Sequence, residues 1–186
     1  VYINHTTWGT QTHEYLNDIA VDKSGNVYIA GSIDLSGTSP YNIWLKKFWG
    51  NGTASWDCNY GNYNNNGYAQ KVEIDHDGNI VVVGTSTALG PGNPSSYYNV
   101  WVGKFHPNGT EMWTSTWGEA GSNDLANDIA FDEMNNIYIP VRTDYGGSYY
   151  DGGLVKYSPD GTILWGERSN MTLFANTSII SEIQFG

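Results

Sequence analysis

The chain has 186 residues, 8 Lys+Arg against 19 Asp+Glu, and a formal net charge of −11. That sign excludes nucleic acid and an anionic membrane surface as default partners, because both require a positive field. One cysteine, Cys58, excludes an intrachain disulfide, and no apolar run approaches the roughly 18 residues of a membrane span.

Polarity here comes mainly from Asn, Ser, Thr, Gly and Tyr, since charged residues are 15 % of the chain and aromatics another 15 %. This composition fits an extracellular or cell-surface protein. The start at Val1-Tyr2, without Met or signal peptide, reads as a processed or partial chain. Cys58 reads as a small core residue rather than a reactive thiol.

In chain order, the first elements are strands at about 17–22, 26–33, 42–49 and 53–59. The pattern recurs at about 70–75, 79–86, 99–106 and 110–117, and again at about 127–132, 136–143, 151–158 and 162–168. Asp22, Asp75 and Asp132 mark a period of roughly 55 residues. A repeat of that length built from short strands points to propeller blades rather than an enzyme core.

The turns have their own chemistry. Asp22-Lys-Ser-Gly25, Asp75-His-Asp-Gly78 and Asp132-Glu-Met-Asn135 join the first and second strands. Asp opens a type I turn by accepting backbone N–H bonds, and Gly or Asn takes the left-handed fourth position. Asn51-Gly52, Asn108-Gly109 and Asp160-Gly161 join the third and fourth strands and predict two-residue type I′ hairpins. Aromatics hold fixed repeat positions: Trp56, Trp113 and Trp165; Trp44 and Trp101; Phe48, Phe105 and Tyr157. They supply the bulk that sheets packed face to face require.

Asp-x-x-Gly-Asn-Val-Tyr-Ile-Ala-Gly-Ser at 22–32, Trp-Leu-Lys-Lys-Phe at 44–48 and Asp-Gly-Thr-Ile-Leu-Trp at 160–165 resemble the SBBP family of beta-propeller repeats. Thr7-Trp8-Gly9 and Thr116-Trp117-Gly118 fit the same pattern. The resemblance implies a secreted or cell-surface protein of bacterial or archaeal type, with no catalytic activity or cofactor attached. Three departures stand out: Tyr60-Gly61 replaces Trp-Gly, Pro140 breaks the Ala-Gly pattern, and Gly152-Gly153 replaces the strand aromatic. The third blade is therefore expected to be looser or to carry an edge.

The expected fold is an all-β beta-propeller segment covering 1–186. Its blades are approximately 17–59, 70–117 and 127–168. Residues 1–9 read as the last strand of a preceding blade and 178–186 as the first strand of a following one. Propellers close with about four to eight blades, so the edges imply either a stretch of a larger chain or completion by neighbouring subunits.

Long loops at about 34–41, 87–98 and 144–150, and the loop 60–68, place Tyr41, Tyr63, Tyr68, Tyr97, Tyr98, Tyr149 and Tyr150 on one face. Tyr and Asn offer rigid area and adaptable hydrogen bonds, which suits recognition of carbohydrate or of another subunit. The alternative is ordinary loop packing over the blade tops. Sequons at Asn4, Asn51, Asn108, Asn170 and Asn176 are candidate glycosylation sites, two of them on the hairpin turns.

Catalysis finds little support: His5, His13, His76 and His106 fall at unrelated repeat positions, and no paired carboxylates or nucleophile set stands out. Asp75-His-Asp-Gly-Asn79 lacks the ligand spacing of a calcium loop, and turn chemistry explains it better. No metal site and no cofactor are expected. The expected function is a non-catalytic structural or adhesive surface propeller, such as a filament or surface-layer component. Its partners would be other copies, other surface proteins or glycans. The alternative is a carbohydrate-binding or carbohydrate-active propeller.

Overall fold

The computed structural model describes residues 13–34, 40–61, 66–87, 97–144 and 150–168. Among these residues the protein is all-β, with 13 strands in three antiparallel sheets. Sheet 1 runs β1 (Glu14–Val21), β2 (Val27–Ile33), β3 (Asn42–Phe48), β4 (Ala54–Tyr60) in that order. Sheet 2 repeats it with β5 (Gly67–Ile74), β6 (Ile80–Ser86), β7 (Asn99–Phe105) and β8 (Glu111–Trp117). Sheet 3 has five strands: β9 (Asn123–Ala126), β10 (Ala130–Phe131), β11 (Ile137–Asp144), β12 (Tyr150–Tyr157) and β13 (Ile163–Arg168). The terminal strands expected at 1–9 and 178–186 lie outside the described residues.

The first strand of each sheet begins earlier than its apolar pattern indicates, and in sheets 1 and 2 it carries a bulge. Leu16 pairs with Gly31 and Asp18 with Ala30, leaving Asn17 extra. Ala69 pairs with Gly84 and Lys71 with Val83, leaving Gln70 extra. A Cβ on Gly31 or Gly84 would collide with the backbone carbonyl of Tyr15 or Tyr68, so the bulge requires a bare position opposite it. Sheet 3 carries Pro140-Val141 where the others have Ala-Gly or Val-Gly. Pro140 accepts from the Asn127 N–H at 3.1 Å, so its missing donor lies on that same side of the strand. The strand expected at 127–132 is reduced to β10 at Ala130–Phe131, β9 pairs with β11 just before it, and four strands become five.

The Asp turns form as the sequence predicts. Asp22 accepts the N–H groups of Ser24 and Asn26, each at 2.9 Å, and the Asn26 side-chain amide at 2.8 Å. Asp75 and Asp132 repeat the arrangement with Asn79 and Asn136. Gly25, Gly78 and Asn135 have φ of 81°, 85° and 61°.

The type I′ expectation for the other hairpins fails. Gly52, Gly109 and Gly161 have positive φ, but Asn51, Asn108 and Asp160 do not. The Gly N–H groups close four-residue turns onto the carbonyls of Trp49, His106 and Ser158. Pro107 and Pro159 occupy the second position, where a fixed φ near −65° favours type I. The Asn51 and Asn108 side chains hold the turn by accepting from Thr53 and Thr110 at 2.9 and 3.0 Å.

Alternation along the strands assigns two faces to each sheet. Tyr28, Ala30, Ile43 and Leu45 of sheet 1 pack with Val72, Ile80, Val82, Trp101 and Phe105 of sheet 2. The opposite side of sheet 2, through Val81, Val83, Val100 and Val102, packs with Ile137, Ile139, Val141, Val155 and Tyr157 of sheet 3. Sheet 2 is thus a middle layer, and every residue of β6 and β7 is buried. Trp44 and Phe48 lie on the far face of sheet 1. Cys58 packs half-buried against the first seam, where burial pushes its thiol up to about 11. At that value it is protonated and unreactive near neutral pH.

Candidate functional site: the tyrosine rim and the inter-sheet clasps

Two features recur at both seams. The first is a clasp at the base of the third and fourth strands. Lys47 Nζ and Trp56 Nε1 of sheet 1 both donate to the Pro107 carbonyl of sheet 2, at 2.8 and 3.2 Å. Lys104 Nζ and Trp113 Nε1 of sheet 2 donate to the Pro159 carbonyl of sheet 3, at 3.3 and 3.0 Å. A Cβ on Gly109 or Gly161 would enter the Trp56 or Trp113 ring, so each indole lies directly on the neighbouring turn. Lys104 also pairs with Asp75 at 2.8 Å, and both side chains are buried. Burial would raise the Asp75 pKa, but hydrogen bonds from Lys104 and Asn79 outweigh it and hold the carboxyl below its ordinary range.

The second feature ties the opposite rim. The Tyr41 N–H donates to Asn66 Oδ1 at 3.2 Å, and the Tyr41 carbonyl accepts from Gly67 at 2.7 Å. Tyr98 repeats this with Asn123 and Asp124, at 3.0 and 2.6 Å. Two of the expected recognition tyrosines therefore have backbones that join sheets.

Their side chains form a row across the first seam. Tyr15 and Tyr41 meet edge to face with centroids 5.4 Å apart; Tyr41 and Tyr68 are 5.8 Å apart, and Tyr68 and Tyr98 are 6.0 Å apart. A hydrogen bond with Tyr15 raises the Tyr41 pKa, and burial pushes Tyr68 up to about 12. Tyr97 is half-buried beside the row. Tyr150 is exposed on sheet 3, where the Arg142 guanidinium stacks on it at 4.7 Å. Tyr63 and Tyr149 lie outside the described residues, as do most of the loops 34–41, 87–98 and 144–150. Tyr15, Asn17, Ser32, Tyr41 and Tyr68 enclose an open cleft of about 320 Å³. Periodicity singled out neither Tyr15 nor Ser32, because both sit in strands rather than in the loops where recognition was sought.

Asn51 and Asn108 stand exposed on turn tips at the clasp end. Asn4, Asn170 and Asn176 lie outside the described residues. No group of three or more His, Cys, Asp or Glu able to hold a metal occurs among the described residues. The carboxylates of Asp75-His-Asp-Gly-Asn79 are already engaged: Asp75 by Lys104 and Asn79, Asp77 by the Asn135 amide at 2.8 Å. Along the first strands, Lys71 lies between Asp18 and Asp128 at 3.8 Å from each.

The family model of the SBBP beta-propeller repeat matches residues 7–34. That segment holds β1, its Asp turn and β2, a unit whose geometry recurs in β5–β6 and, split at Pro140, in β9–β11. No curated protein matches the chain.

Proposed function

We propose that this chain is part of a non-catalytic propeller serving as a structural or adhesive scaffold at the cell surface. Its units are the three sheets as blades, with 1–9 and 178–186 adding a strand to each neighbouring blade. The clasp is the observation that carries this reading. Lys47, Lys104 and Lys156 hold one repeat position, as do Trp56, Trp113 and Trp165. The first two pairs grip the turn of the next sheet. Trp165 is 40 % exposed, and its Nε1 has no acceptor among the described residues. Sheet 3 therefore offers the donor half of the same clasp to a further blade, from elsewhere in a longer chain or from a neighbouring copy.

The surface assignment is tested by protease shaving of intact source cells, with mass spectrometry of released peptides. Release of peptides from this chain before lysis is expected, with glycan mass on Asn51 or Asn108. Appearance of the peptides only after lysis would overturn the surface role. The clasp assignment is tested in the native protein by Lys156→Ala with Trp165→Ala. A lowered melting temperature or loss of assembly is expected, and an unchanged protein defeats it. A second reading, glycan recognition, draws on the row of tyrosines at the opposite rim.

A further inference from the structure

The cleft at the first seam combines features that a packing role does not require. Ser32 lines it and is completely buried, yet its hydroxyl has no hydrogen-bond partner among the described residues. A buried polar atom left unpaired is costly, and none of the described residues satisfies this one. Tyr15, Tyr41 and Tyr68 line the same cleft, and Tyr15 is 52 % exposed. Asn17 is the remaining lining residue, fixed by its amide donating to the Ala69 carbonyl at 2.6 Å. Asn17 is also the extra residue of the bulge in β1.

We propose that this cleft binds a neutral saccharide, stacked against tyrosine faces with a hydroxyl paired to Ser32 Oγ. The proposal deepens the glycan reading and does not depend on surface display. Among the described residues no charged side chain lines the cleft, and the chain carries a net charge of −11. A phosphate or carboxylate would find no cation there. An aromatic cage for a quaternary ammonium surrounds the cation with ring faces. Here the rings pack on one another in a row, Tyr15 edge-on to Tyr41 at 72°. A pyranose presents what this site accepts: weakly positive C–H groups for the negative ring face, and hydroxyls for a single buried partner. The volume of about 320 Å³ is at the small end of ligand sites, which run from about 300 to 1,000 Å³.

Sheet 3 supplies the internal control. Arg142 stands at the repeat position of Ser32, and its guanidinium covers Tyr150. Saturation-transfer NMR with methyl glycosides of glucose, galactose, mannose and N-acetylglucosamine tests the site. Transfer to ring protons of at least one glycoside is expected. Ser32→Ala and Tyr15→Ala should each weaken binding about tenfold, the loss of roughly one good contact. Tyr150→Ala should leave binding unchanged, and melting curves verify the fold of all three variants. Three results would overturn the proposal: no transfer from any glycoside, equal binding by Ser32→Ala and Tyr15→Ala, or transfer from choline chloride alone. A failure here with peptides still released by shaving removes the saccharide site and leaves the scaffold intact.

Discussion

The two seams use one clasp but different fillings. In the first, Tyr60 at the end of β4 packs on Trp101 and Phe105, with centroids 5.4 and 5.1 Å away. In the second, Trp117 holds the place of Tyr60 but meets no tryptophan, because Gly153 stands where sheet 2 has Trp101. The Arg168 guanidinium fills the position, 4.2 Å over the Trp117 ring. It is neutralised by the buried Asp124 at 2.9 Å and by Glu119. Asp124 in turn accepts from Thr143 at 2.6 Å and Ser122 at 3.0 Å. The comparison teaches that a vacancy in a repeat does not imply a loose blade. The expected looseness of the third unit is replaced, at this seam, by a charged network. An edge remains on its far side, where Ile163, Leu164 and Trp165 are exposed.

The most direct way to break the first seam is Trp101→Ala, which empties its largest fully buried side chain. A loss of about 4 kcal/mol in urea unfolding is expected. Tyr60→Ala should weaken the same seam less, because Tyr60 is only half-buried.

Arg168→Ala attacks the second seam by another route. It strands Asp124, whose side chain is fully buried, and should cost about 3 kcal/mol. Adding Asp124→Asn removes the stranded charge and should recover part of that loss. A double-mutant cycle decides: strict additivity would mean that Arg168 acts by packing alone.

A finer contrast lies in the turn glycines. Ala at Gly52 pays only for a left-handed backbone, about 1 kcal/mol, since a Cβ there meets nothing within 4 Å. Ala at Gly109 or Gly161 must also displace an indole, and about 2 kcal/mol is expected from thermal unfolding. Equal losses at all three positions would remove the clasp tryptophans from the account.

The smallest effect is on acid stability. A hydrogen bond from Asn136 lowers Asp132 from its ordinary 3.8 to about 2, and Asp75 is lowered as well. Both are depressed in the folded state, so their stabilisation is complete above an unfolded value of about 3.9. It is lost as pH falls from about 4 toward 2. Melting temperature should be insensitive to these groups from pH 7 to about 5 and fall below about 4. Asn136→Ala should raise the Asp132 pKa toward its unfolded value, lower the melting temperature above about pH 4 and make the fall below pH 4 smaller.

Much of this architecture was legible in the residues. Asp22-Lys-Ser-Gly25 and its sisters specify their turns by local hydrogen bonding alone, and they form as read. The aromatics at fixed repeat positions marked the packing between sheets, and Trp56, Trp101, Phe105, Trp113 and Tyr157 do lie at the two seams. The other hairpins were misread because Asn-Gly favours a two-residue turn only when nothing precedes it. Pro at 107 and 159 selects the four-residue form. The shortening of the strand expected at 127–132 was hidden because Pro140 and Val141 act across the sheet on residues distant in sequence. The tyrosines of the loops were visible by type, but Tyr15 fell before the strand expected at 17–22 and Ser32 inside the strand expected at 26–33, so neither stood out.

The chain by itself determined the repeat, the four strands of the first two units, the turn residues and the aromatic positions. Each depends on interactions within a few residues or on strand alternation. Tertiary structure decided what each repeated residue touches. Lys104 meets Asp75 and the turn of the next sheet, Arg168 replaces a missing tryptophan, and Ser32 is buried beneath tyrosines from two sheets. A repeat prescribes equivalent positions, but contacts between sheets depend on which neighbour packs there and on the volume and charge that neighbour leaves to be filled.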